Sequence, residues 1–174
     1  MSRGAAASGE NDRMALFSRR SARADAPTPT PPSMPRLRDL DERELEWIAA
    51  HVELLTDAGT DIDDLAQVRA AYDRSAAAWR RINPPERDDP TVTTNAIGLA
   101  FGEHLVRRTP LRWVIAEDEH GIELALHDAR TRTILYPAKL VAERWMAEEP
   151  GDFLTATGEQ LVAKLPDTRR GRRH

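Results

Sequence analysis

Residues able to do chemistry gather in two places. One is the acidic run Glu117-Asp118-Glu119-His120, with Glu123 and His127 just beyond it. Carboxylates and imidazoles ligate divalent metals. On an extended strand, however, Glu123 and His127 share a face but stand about 13 to 14 Å apart, too far for one ion. No His-Glu-x-x-His pair and no carboxylate ladder accompanies them. The run therefore reads as a solvated turn, and no metal site is assigned. The other place is Glu103, at the edge of the polar sector of a helix and beside Leu99. A half-buried carboxylate can serve as a general acid or base. The simpler expectation is an ion pair with Arg107, four residues on.

Other chemistries drop out. The chain has no Cys, which excludes disulfides, thiolate zinc sites and thiol nucleophiles. Between Asp41 and Leu165 the one serine is Ser75, in mid-helix and without a Gly-x-Ser-x-Gly elbow. Neither Gly-x-x-x-x-Gly-Lys nor Gly-x-Gly-x-x-Gly occurs, so no cofactor is expected.

The element that must position Glu103 is a helix entered at Thr91. Ile97, Phe101 and Leu105 form one bulky ridge; Asn95, Gly98, Leu99, Gly102 and Val106 form a smaller adjoining face. Its polar sector is narrow: Thr93, His104 and Arg107. A helix apolar around most of its circumference lies between other elements. Gly98 and Gly102 each cost about 1 kcal/mol relative to Ala, and close approach of another backbone is the simplest offset. A membrane seam of Gly-x-x-x-Gly type is the poorer reading, because Glu103, His104, Arg107 and Arg108 come at once after it.

Two helices precede it. Asp41, with Glu44 three residues later, makes a capping box for a helix from Asp41 to Ala58 with Leu45, Ile48, Val52 and Leu55 on its apolar stripe. Gly59 ends it in a left-handed cap. A second helix is expected from about Ile62 to Arg81, capped by Asp61 or Thr60, with Ile62, Leu65, Val68, Tyr72 and Trp79 inward. After the central helix, Thr109-Pro110 breaks the chain. Leu111 to Ala116 and Ile122 to His127 alternate as paired strands about a turn at Gly121, and Thr133 to Tyr136 is a third strand. Pro137 starts a helix that runs from Ala138 to Glu148, and Asp152 caps a last one, Phe153 to Leu165. The order predicts an α+β fold: an N-terminal helical hairpin, a central buried helix, a three-stranded antiparallel meander and two C-terminal helices.

The ends differ from this domain. Residues 1–36 are Ala-, Arg- and Pro-rich and are expected to be disordered, as is the basic tail 166–174, leaving one domain over 37–165. Each end carries a net +3, so the remainder of a chain of net charge −4 holds −10. An acidic domain is a poor nucleic-acid binder, and only the tails would attract phosphate. Ser18-Arg19-Arg20 lacks the apolar run of an export signal, and Met14 is an alternative start to Met1. No window of about 18 residues is apolar enough to span a membrane. The lack of Cys fits a cytoplasmic setting.

The pattern Asn95-x-x-Gly98-x-x-x-Gly102-Glu103-x-Leu105, then Trp113, Asp118-x-x-Gly121-x-Glu123-x-Ala125-Leu126 and Tyr136-Pro137-x-x-x-Val141-x-x-Arg144 resembles a bacterial domain-of-unknown-function family, the 3806 type. The resemblance covers roughly Asn95 to Trp145. It implies a helix, a small sheet and a Pro-started helix in that order, and it implies no activity, cofactor or catalytic residue.

Two functional readings are compatible with these residues. The first is a non-enzymatic interaction module that binds an unknown protein or itself. Its candidate surface is the second face of the sheet: Arg112, Val114, Glu123, Ala125 and His127, with Ala116 among them. Whether that face is open, or covered by the first two helices, is left undecided by the sequence. The second is a small enzyme or ligand-binding domain with a pocket between the central helix and the sheet, formed by Glu103, Trp113 and Arg144.

Overall fold

The computed structural model describes residues 34–119 and 121–165. The expectations for the N-terminal segment up to residue 33, for the tail 166–174 and for His120 lie outside these residues. Among the described residues the chain is α+β, with five α-helices and a four-stranded antiparallel sheet.

The central helix, α3 (Thr91–Arg108), is buried from Ala96 through Gly102, as its nearly all-round apolar pattern requires. Its glycines are explained by what lies on them. A Cβ on Gly98 would stand 2.5 Å from the Ala138 Cα and 2.8 Å from the Ala138 nitrogen. The backbone that approaches is thus the first turn of α4 (Pro137–Met146), with Pro137 at the N1 position. Gly102 instead makes room for the Trp113 indole, which a Cβ would overlap. His104 departs from expectation. It is 4% exposed rather than on a wet polar sector, because the chain after α1 folds over it.

Helix α1 (Glu42–Asp57) starts with the capping box read from Asp41 and Glu44, both halves of which form. Ile48, Val52 and Leu55 are buried, whereas Leu45 is 53% exposed. Gly59 takes φ +83° after it. Helix α2 (Leu65–Arg81) starts three residues later than expected. Asp64 caps it by accepting from the Ala66 nitrogen, while Asp61 closes a turn on the Asp63 nitrogen. With Asp at 61, 63 and 64, capping chemistry alone does not select the register. Helix α5 (Asp152–Lys164) packs along α2, and Gly158 makes space for Leu65. Tyr72, Trp145 and Phe153 meet edge to face, with ring centroids 5.5 and 5.3 Å from that of Tyr72.

The sheet runs β1 (Arg36–Arg38), β2 (Arg112–Asp118), β3 (Gly121–Asp128) and β4 (Thr133–Leu135) in that spatial order. The three-stranded meander forms, but a fourth strand, β1, is added at its edge, opposite Glu117, Ala116 and Ile115. It begins at Arg36, the last residue assigned to the N-terminal segment. Pro35-Arg-Leu-Arg is too short and too charged to show a strand period. Tertiary contacts hold it instead: the Arg38 guanidinium grips Glu44 with two hydrogen bonds of 2.8 and 2.6 Å. Trp113, Ile115, Leu124 and Leu126 lie on the sheet face toward the helices, in the register read from their alternation. No described helix is long and apolar enough to cross a membrane.

Candidate functional site

The α1–α2 connection is tied to the C-terminal half of α3 by polar groups. His104 Nδ1 donates to the Ile62 carbonyl at 2.9 Å. Burial pushes the imidazole pKa down, so the neutral ring is the resident form. Arg108 reaches Asp63 twice, at 2.9 Å to the carboxylate and 2.7 Å to the carbonyl, and Arg107 reaches the same carboxylate at 3.0 Å. The Arg108 hydrogen bond, then the Arg107 charge, holds the Asp63 carboxyl below the usual carboxylate range. These reaching side chains tie the connection to α3.

The result is a cleft of about 520 Å³ between α1 and α3. From α1 come Ile48, Ala49 and Val52, with Leu45 and Glu53 also on that wall; the connection adds Thr60, Asp61 and Asp63. Helix α3 adds Glu103 and Arg107, and β2 adds Trp113. Trp113 is placed by the hollow at Gly102, and its Nε1 donates to Glu103 at 3.3 Å. The other Glu103 oxygen receives Arg107 Nε at 3.4 Å, the pair expected from the four-residue spacing. Both oxygens of Glu103 are thus engaged. A size in this range is ordinary for small-ligand sites, which combine apolar walls with a few placed polar groups.

Of the pocket residues taken from the sequence, Glu103 and Trp113 come together here. Arg144 does not line this cleft; it pairs with Glu149 at 2.5 Å and lies over the Phe153 ring, at the α4–α5 junction. The α1 wall and Asp63 were missed. The one signal was the complementary charge of Asp61-x-Asp63-Asp64 and Arg107-Arg108, and residues 44 apart cannot be paired by inspection.

The proposed partner surface is closed at its centre. Val114 and Ala125 are 1% and 0% exposed, with Ile134 and Tyr136 packed against them. Alternation assigns a side chain to a face of the sheet and does not reveal which distant side chains cover that face. Ala116 is buried as well. Arg112 stays at the rim, bound to Asp39, and Glu123 pairs with Lys139 at 3.4 Å. His127 is half-buried, and its Nδ1 has no hydrogen-bond partner among the described residues. Among those residues no group of three or more His, Cys, Asp or Glu side chains is placed to hold a metal.

The fold and cleft define a small α+β domain built on a glycine-notched helix. The chain belongs to the family described as a domain of unknown function (DUF3806), whose model matches residues 70–156. No curated protein and no solved structure matches it. The matched stretch holds α3, the β2–β4 meander, α4 and most of α2, and it starts after α1 and the Asp61–Asp64 connection.

Proposed function

We propose that this domain is a non-enzymatic binding module whose site is the α1/α3 cleft. The observation that carries the reading is the contrast between two surfaces. The centre of the sheet face is buried, with Ile134 and Tyr136 packed against it, whereas the cleft keeps an open volume with an exposed apolar lip at Leu45. Glu103, on the α3 wall of the cleft, is held by two donors, an arrangement that suits a fixed binding surface. Leu45 and Ala49 are exposed, so changes there alter the cleft and spare the core. The test is to recover whatever partner or ligand the full chain binds in its native cell, and to compare the variants Ala49→Trp and Glu123→Arg. Loss of binding in Ala49→Trp alone, with unchanged circular dichroism, is the expected result. Binding that survives Ala49→Trp and is lost in Glu123→Arg overturns the reading in favour of the sheet rim.

A further inference from the structure

We infer that the α1/α3 cleft selects a cation carried on an apolar stem: a guanidinium or ammonium group, either at the end of an arginine or lysine side chain of a partner peptide or on a free amine of the same build. This rests on the binding reading above and names the ligand class.

Charge is the first argument. Among the described residues, four carboxylates, Glu53, Asp61, Asp63 and Glu103, line the cleft with a single guanidinium, Arg107. Arg107 is already shared between Asp63 and Glu103. Asp63 also holds Arg108, and Glu103 also holds Trp113. An entering anion would therefore have to compete for a cation with two carboxylates on it.

The uncommitted charge is negative. Asp61 uses one oxygen on the Asp63 backbone nitrogen and forms no ion pair among the described residues. The Glu53 carboxylate has no described partner. An ionised carboxylate accepts through both oxygens, so Glu53 and Asp61 retain acceptor capacity that a guanidinium or ammonium fills.

The second argument is the wall on the other side. Ile48 and Val52 are 5% and 9% exposed and form the apolar floor, with Ala49, Leu45 and the Trp113 indole around it. A bare inorganic cation gains nothing from such a floor. A cation whose charge ends an alkyl or aryl stem buries the stem there and leaves its head among the carboxylates. Arginine suits this better than a strongly hydrated ion, because its guanidinium sheds water more readily.

Calorimetric titration of the full chain at low salt decides it. The probes are 4-phenylbutylamine, its neutral counterpart 4-phenylbutanol and its anionic counterpart 4-phenylbutyrate. Beside them go a blocked Leu-Arg-Leu-Leu peptide and the same peptide with citrulline for arginine. The variants are Ala49→Trp, and Glu53→Gln with Asp61→Asn. The expected result is binding of a charged probe at least about tenfold tighter than its neutral counterpart. It is weakened about tenfold by the paired amide substitutions and lost in Ala49→Trp. Preference for the peptide over the amine assigns the source to a partner chain, and the reverse assigns it to a free amine. Equal binding of butanol or butyrate, still lost in Ala49→Trp, overturns the cation inference and leaves the cleft reading standing. Binding that Ala49→Trp does not touch overturns both. Absence of binding by every probe up to millimolar concentration overturns the cation inference, and the comparison of Ala49→Trp with Glu123→Arg then judges the cleft.

Discussion

On its α4 side, helix α3 carries Gly98 with the Ala138 backbone laid directly against it. On its α1 side it carries His104, Arg107 and Arg108, whose side chains reach outward to Ile62 and Asp63. The first contact is backbone on backbone. The second combines long polar groups with the buried Ile48, Val52 and Leu55 of α1, and the cleft opens beside them. The stretch that matches the family contains both partners of the tight contact, whereas α1 and Asp63 precede it. The tight contact thus lies inside the matched stretch, and the cleft takes α1 and Asp63 from residues ahead of it.

The comparison breaks if the two flanks respond alike to substitution. Gly98→Ala should have the largest effect. Its new methyl meets backbone that cannot swing away, so about 1–3 kcal/mol of stability should be lost despite the better helix propensity of Ala. Urea unfolding measures this, and a stabilised variant would show that α4 can step back. Asp63→Asn should cost about 1 kcal/mol or less, since its carboxylate is 48% exposed and screened. Its mark should be local: faster amide hydrogen exchange over residues 60–64 with the α4 flank unchanged. A loss as large as that from Gly98→Ala would mean that the α1 flank is no looser than the other.

The smallest effect at neutral pH belongs to His104, and acid brings it out. Its folded pKa lies below the ordinary 6.5, so the unfolded chain binds the proton more readily. The associated stability is complete above about pH 6.5 and is lost as pH falls from there through the depressed folded value. His104→Asn keeps a donor for the Ile62 carbonyl and removes the titration. Wild type should therefore lose more stability than His104→Asn between pH 7 and pH 5. Parallel pH curves for the two chains would refute the assignment.

The parts of this architecture that could be read from the chain were those written in neighbouring residues. The Asp41–Glu44 capping box, the left-handed Gly59 and the Gly98–Gly102 notch need only local spacing and a rule about what helices tolerate. Glu103 and Trp113 could be placed together because only a short break at Thr109-Pro110 separates helix from strand. The misreadings depended on how elements pack on one another, which spacing within one element does not show. Strand β1 is three residues long and exists through its contacts with β2 and Glu44. Arg144 shares the inward-spaced run with Trp145, yet Glu149 and Phe153 draw it to another junction. Alternation put Val114 and Ala125 on the correct face and said nothing about how deeply they would be buried or about Ile134 and Tyr136 packing against them.

Glu44 links the edge of the sheet to a wall of the cleft. One of its oxygens caps the Asp41 nitrogen while both hold Arg38, and together these donors draw its pKa down to about 2. Glu44 therefore joins strand β1 to the first turn of α1, beside the β1–β2 pairing and the Asp41 half of the capping box. Peeling the strand away would fray the helix start as well, and acid strong enough to protonate that group would unlatch the two together.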